Sequence, residues 1–455
     1  MNTFDLLIIG GGPGGYLAAE RAATGGFKVA LFEERALGGV CLNEGCMPSK
    51  TLLNSAKYYD HARHGEAFGV SAQDVTFDHT KVIARKEQVV KTLVAGVGAK
   101  MKGRKVSVIK HRAQIIGKSA DGFSVIADGE TYSGKRLLIA TGSSPLIPPI
   151  PGVDAGLQGG FVLTNREILD LTTLPKELVV IGGGVVGLEM AAYFQTVGSQ
   201  VTVIETLDKI AGATDAEVSA LLQKELMKKG VIFHLGAKVT EIGTEEVSYQ
   251  QAGNIHKIKA DKVLLSTGRR PNVQGIGLEN LNIYVEHGAI VTDAHLRTNV
   301  PGIYAVGDVN GKYMLAHTAY REAEVAVNHM LGKRDYMRYT AVPSVIYTSP
   351  EVAGVGETEE TAKKQGLDVE VVRVSMLYSG RYVAECNGEE GICKLIVEKK
   401  SRRLLGVHLL SPYASEIIYG AALMLETRLS IEEIKELIFP HPTVGEVIRE
   451  GLFMI

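Results

Sequence analysis

The chain has 455 residues, 45% of them hydrophobic, and a formal net charge of -2 from 49 basic and 51 acidic side chains. At ~100 to 200 residues per domain this length implies three or four folded units rather than one core. Near-neutral charge, without a long basic run or an Arg-rich aromatic cluster, argues against nucleic acid as a partner, and four cysteines are too few for a secreted disulfide scaffold, so a reducing cytoplasmic setting is expected.

The run Phe4 to Ile9 is strand-like and lacks the basic start, long apolar stretch and cleavage site of a secretory signal. Gly10, Gly12, Gly14 and Gly15 follow, then a helical run through Ala18, Ala19 and Ala22, then the strand VALFE ending at Glu33. This is a βαβ unit in which glycines allow a tight turn and close approach of a pyrophosphate, a helix N-terminus binds its charge, and the acid bonds a ribose. Next comes GGVCLNEGCMPSK, with Cys41 and Cys46. A plant-type iron-sulfur pattern would place a third cysteine at position 49, which is Ser. Two buried structural thiols and a redox-active pair both remain open. On a regular helix, residues five apart are separated by ~7.5 Å of rise, beyond the ~6.8 Å limit of Cα separation for a disulfide. A bridged pair therefore needs an irregular segment, which Gly45 permits, and Pro48 is placed to open a helix through Lys50 and Thr51. Cys46 then lies at a helix N-terminus, where the dipole favours a thiolate.

Farther along, LLIATG closes the first unit at Thr141 and Gly142. The glycine fingerprint then recurs as Gly182, Gly184 and Gly187, followed by a helix and the strand VTVIE ending at Glu205. The first glycine and the acid are 23 residues apart in both copies. Two copies imply two dinucleotide sites. A carboxylate at 205, with no Arg between it and Thr214, favours the free 2′-hydroxyl of NAD over the phosphate of NADP. The most apolar stretch, Leu178 to Phe194, is broken by four glycines and Glu189, so no membrane span is expected.

VLLSTGRRPN and TNVPGIYAVGD, ending at Asp308, follow the second unit, which suggests that the first domain is interrupted by the second. Asp308 reads locally as a turn acid. From about residue 340 short strand-like runs (VIYT, ICKLIVE, LLGVHLL) and helices indicate a separate α+β domain. The chain nears its end in FPHPTVGEVIREG. Thr443 and Glu446 fit a capping box, while His441 with a carboxylate partner fits a base for thiol chemistry near neutral pH; one glutamate can serve both readings. His317 and His408 read as structural. No metal site is expected.

Taken in order, Gly10 to Gly15 with Glu33, the cysteine segment, the Glu205 unit, YAVGD and HPTVGE resemble the flavin-dependent pyridine nucleotide-disulfide oxidoreductases over essentially the whole chain, and within them the branch that oxidises dihydrolipoamide. The resemblance implies an α/β fold of two Rossmann-like dinucleotide-binding domains and a C-terminal α+β dimerisation domain, with residues 1–147 and 272–339 for FAD and the central region, 148–271 for NAD, and 340–455 for the interface. It assigns FAD to Glu33, Lys50, Ala113, Thr141, Gly142, Asp308 and Ala316, with Lys50 near flavin N5 and paired with Glu189. It assigns NAD to the second unit with Val239, Gly268 and Arg269. Cys41 exchanges with substrate, Cys46 faces the flavin, and His441, oriented by Glu446, is the base supplied by the other subunit of a homodimer. Electrons are then expected to pass from dihydrolipoamide, carried on a lipoyl domain of a multienzyme complex, through the thiols and FAD to NAD. Val40, Pro440 and Gly445 depart from the common pattern. Cys386 and Cys393 match no redox site of the family and read as structural thiols. Glu205 argues against an NADP-dependent glutathione reductase, GLFMI carries no cysteine pair of the mercuric reductase kind, and the intact Cys41 and Cys46 argue against an NADH oxidase.

Overall fold

The computed structural model describes residues 2–119 and 122–455. The chain divides into two compact units, one formed by Met1–Thr51, Ile83–Leu146 and Gly268–Arg338, the other by Leu52–Val82, Ile147–Thr267 and Tyr339–Ile455.

In the first unit, Ser107–Ile109, Val29–Phe32, Asn2–Ile9 and Glu130–Ile139 lie side by side in parallel. Ile303–Ala305 joins the end of Glu130–Ile139, and Gly122–Ala127 and Ala113–Ser119 extend the sheet antiparallel. Leu6, Leu7 and Ile8 are completely buried, because a parallel strand is covered on both faces. Leu7 and Ile9 share a core with Phe123, Val125, Leu137 and Ile290, while the helices Pro13–Thr24 and Ala316–Met330 pack on each other.

The turn from Asn2–Ile9 into Pro13–Thr24 shows why only glycine serves there. Gly10 has φ of +106°, and a Cβ on Gly15 would stand 1.8 Å from the Gly10 carbonyl oxygen. No side-chain movement relieves a clash with backbone. We expect Gly15→Ala to cost at least the ~1 to 3 kcal/mol typical of overpacking, read as a lowered thermal midpoint.

In the second unit, Ile232–His234, Gln200–Ile204, Glu177–Ile181, Lys262–Leu265 and Val162–Leu163 form an all-parallel sheet. The antiparallel strands Ala237–Ile242, Glu246–Gln251 and Asn254–Lys259 stand apart from it. The α+β region is a five-stranded antiparallel sheet in the order Ser344–Ile346, Glu351–Gly356, Arg403–Ser411, Ile392–Glu398 and Val369–Ser375, and the helix Ala414–Thr427 packs against it. The α/β class is as expected from sequence.

A buried charge cluster fastens two parts of this second unit. Asp215 caps the helix Ala216–Lys228 and receives the Lys394 ammonium at 3.0 Å, with Glu359 at 2.7 Å and Glu217 at 3.1 Å from the same nitrogen. The Lys394 and Asp215 side chains are 1% and 0% exposed. Burial works against the lysine charge, but Glu359 and Asp215 overcome it and hold the ammonium above its ordinary range. Among the described residues no helix is long and apolar enough to cross a membrane.

Candidate active site

The duplicated glycine loops repeat at the level of single atoms. Gly182 has φ of +105°, matching Gly10, and a Cβ on Gly187 would lie 2.2 Å from the Gly182 oxygen. Gly12 and Gly184 begin the helices Pro13–Thr24 and Val185–Thr196 without a side-chain cap, so the first N–H groups of each helix are presented to an incoming anion. Each terminal acid is held by its loop. Glu33 accepts the Gly11 amide at 2.7 Å and the Arg35 amide at 2.8 Å; Glu205 accepts the Gly183 amide at 2.6 Å and the Leu207 amide at 2.8 Å. A carboxylate has about four lone-pair sites, which leaves capacity for ribose hydroxyls.

The cysteine segment is built onto the first loop. Gly38 donates its amide to the Gly11 oxygen at 2.8 Å, and a Cβ on Gly39, whose φ is +56°, would meet the Gly12 Cα at 2.7 Å. From there Gly39–Glu44 forms one short helix carrying Cys41, and Cys46–Arg63 forms the next. The break falls at Gly45, the kind of irregularity that a bridged pair would need. Cys46 is the first residue of its helix; Pro48, expected to open it, is the third, where a missing N–H also costs no helical bond. Both cysteines are thiols here. The hydrogen bond with Cys46, then burial and the charge of Cys46, push the Cys41 thiol well above its ordinary range, with the Lys50 ammonium opposing them.

Around them in the first unit, Asp308 accepts the Ser143 hydroxyl at 2.5 Å, and Ser143 accepts the Arg269 guanidinium at 2.7 Å. Arg269 therefore belongs to the same chain of bonds as Asp308. Thr141 donates to the Asn272 oxygen at 2.7 Å, Gly142 has φ of +70° beside it, and Gly268 has φ of +110° before Arg269. Ala113 is buried in the sheet, and Ala316 starts an uncapped helix. The Ser143 link carried no motif in the sequence, and Asn272 appeared there only as the end of the VLLSTGRRPN run.

In the second unit, Glu189 is buried and accepts the Tyr347 amide at 3.1 Å, and Val239 is buried in Ala237–Ile242. His441 is 78% exposed and its Nδ1 lies 2.8 Å from Glu446 Oε1. That nitrogen donates, so Nε2 is left as the basic atom. Glu446 also accepts the Thr443 amide at 2.7 Å. Only this half of the capping box forms, because the Thr443 hydroxyl turns to the Pro440 oxygen. Burial works to raise the Glu446 carboxyl, but the Thr443 amide and His441 outweigh it and hold it below the usual range. His408 holds the Glu357 carbonyl at 2.8 Å and is structural. Cys393 is fully buried in the C-terminal core and Cys386 packs against that core, its thiol pushed up to about 12 by burial and Glu389.

Comparison with known proteins bears on the whole chain. The model of the pyridine nucleotide-disulphide oxidoreductase family matches residues 4–323, and that of its dimerisation domain matches residues 342–452. The dihydrolipoyl dehydrogenase of Chlamydia muridarum is 38% identical over 99% of this chain and 97% of its own length. Among solved structures, LpdA from Mycobacterium tuberculosis superposes with a TM-score of 0.90 at 26% identity, covering 100% of this chain and 99% of that one. The HOCl-induced flavoprotein disulfide reductase RclA from Escherichia coli, in a Cu(II) complex, gives 0.88 at 28% identity, covering both chains fully.

Proposed function

The chain belongs to the pyridine nucleotide-disulphide oxidoreductases, and from that premise we propose that it oxidises dihydrolipoamide to lipoamide through a Cys41–Cys46 disulfide, with FAD in the first loop and NAD in the second. The observation that carries this reading is the placement of Cys41 and Cys46 on two helices that break at Gly45 and are seated against the first glycine loop. Full-length relatives named dihydrolipoyl dehydrogenase support the substrate. The division into residues 1–147, 148–271, 272–339 and 340–455 is part of the same reading, as are a cytoplasmic location and delivery of substrate on a lipoyl domain of a multienzyme complex.

The residues fit the two cofactors. Each loop offers uncapped helical N–H groups for a pyrophosphate and a carboxylate for a ribose, and Ser143 and Asp308 stand together in the first unit for a polyol chain, while Val239, Gly268 and Arg269 stay assigned to NAD. Lys50 serves the flavin ring. When bound, FAD supplies the two-electron relay between thiols and NAD.

The protein's own groups handle protons and sulfur. His441 Nε2 takes a proton from one thiol of the substrate, and the resulting thiolate attacks Cys41 Sγ. The Cys41–Cys46 bond breaks, a bond between substrate sulfur and Cys41 forms, and Cys46 leaves as thiolate. The second substrate sulfur then loses its proton and displaces Cys41, closing lipoamide; the cysteines have gained two electrons and the substrate has lost two. Cys46 keeps the charge at its helix N-terminus, and Cys41 takes the proton. His441 is contributed by a second copy: it stands exposed in the dimerisation domain, three residues after Ile438, which is 98% exposed, and such an apolar surface is one that a second copy would cover.

One assay decides between substrates. The flavin-loaded protein should reduce NAD with dihydrolipoamide far faster than it reduces glutathione disulfide with NADPH, because Glu205 disfavours a 2′-phosphate. The reverse order of rates would overturn the assignment.

A further inference from the structure

The helix Pro13–Thr24 carries Tyr16 at the position where the second copy of the nucleotide unit has Leu188. The hydroxyl that breaks the repeat has a specific partner. Tyr16 and Tyr320, from the first turns of two helices packed on each other, place their oxygens 2.5 Å apart, with ring centroids 6.0 Å apart in an edge arrangement. Tyr16 is buried and Tyr320 half-buried. Two hydroxyls bring two protons, and the bond between them uses only one. Burial, the shared hydrogen bond and the charges of Cys41 and Cys46 push the Tyr16 hydroxyl far up; burial does most to raise Tyr320, and the same two sulfurs act on it. Tyr16 donates its amide to the Gly12 oxygen at 2.9 Å, and Gly39, which opens the Cys41 helix, sits against Gly12, so the hydroxyl pair stands one turn along from the seat of the redox segment, whose reduced form carries negative charge.

We propose that Tyr16 and Tyr320 form a positioning pair for the redox thiols, one hydroxyl holding the other so that its remaining proton is turned toward the sulfurs when they are reduced. Donation toward a thiolate favours the charged sulfur, and locking one hydroxyl with the other removes the rotor freedom that would weaken it. The neighbouring charges are committed elsewhere: Arg21 pairs with Glu324, Arg321 with Asp335, Arg35 with Glu44, Lys100 with Glu20, Glu322 with the Gly307 amide and Asp308 with Ser143. His317 is exposed on the same helical turn as Tyr320. Lys50 acts on Cys41 and is unchanged in every variant below.

The proposal rests on Cys41 and Cys46 being the redox pair, not on the identity of the substrate, and its test uses none. The flavin-loaded full chain is reduced with dithiothreitol, freed of reductant, and treated with iodoacetamide over a range of pH, with modification at Cys41 and Cys46 read by mass spectrometry. Tyr320→Phe keeps the ring and removes one hydroxyl; alkylation should slow about tenfold on the acid side of the profile, with the alkaline plateau unchanged. Tyr16→Phe should behave alike, and the double variant should lose no more than the larger single loss, because the pair acts as one unit. An unchanged profile in Tyr320→Phe, with native flavin content and thermal midpoint, would overturn the proposal, as would additive losses. If Tyr16→Phe does not fold, Tyr320→Phe alone decides by its profile. Lost lipoamide turnover in the unmodified protein would leave this test intact.

Discussion

Cys46→Ser protein is expected to purify yellow, to reduce artificial dyes with NADH, and to turn over dihydrolipoamide at least ~1000-fold more slowly, the scale on which removing a reacting group acts. The substitution is nearly isosteric at the first position of Cys46–Arg63, and the neighbouring break at Gly45 is backbone geometry that serine leaves alone. Both glycine loops and their acids are untouched, so dinucleotide binding should survive. What disappears is the only sulfur that can be expelled when a substrate thiolate attacks Cys41: the alcohol does not form the disulfide in the first place. Steady-state assays with lipoamide and with a dye, made on one preparation, separate these activities. Retention of wild-type lipoamide turnover would sink the sulfur chemistry proposed above.

His441→Gln should cut lipoamide turnover by at least ~100-fold, the lower range for loss of a general acid or base. The glutamine amide can still donate to Glu446, so the Thr443 amide keeps its acceptor and the helix Glu446–Leu452 keeps its start; the loss is then confined to the proton. The carboxyl of Glu446 is held below its usual range. Its contribution to stability is present above the ordinary carboxylate pKa and is lost only as pH falls through the lowered folded value, so it stays ionised across neutral pH. Any neutral-range fall in lipoamide turnover that depends on residue 441 should therefore vanish in the variant, while dye reduction keeps its profile. A loss of only a few-fold would mean that His441 serves the chain turn rather than the reaction.

Much of the architecture was legible because backbone geometry leaves local marks. A glycine at positive φ, a second that lets a helix approach a strand, and an acid at fixed spacing recur in Gly10 to Glu33 and in Gly182 to Glu205, and covalent distances set that spacing. The break at Gly45 was legible for the same reason. Contacts between remote positions leave no such period: Tyr16 meets Tyr320 across 304 residues, and Lys394 meets Asp215 across 179. The helix start was misjudged by two residues because Pro48 is tolerated anywhere in the first turn. Half of the capping box failed because the Thr443 hydroxyl had a nearer acceptor in Pro440, a choice that a four-residue motif does not encode.

The twin acids at the strand ends have a consequence for how such a chain can change. Glu205 is at once a selector and a clasp: the oxygens that would greet a ribose already fasten Gly183 and Leu207. A drift toward phosphorylated dinucleotides cannot begin by discarding that acid, since the loop loosens before any new preference is gained. Any change of cofactor preference there must first supply another acceptor for those two amides, and Glu33 fastens its own loop in the same way.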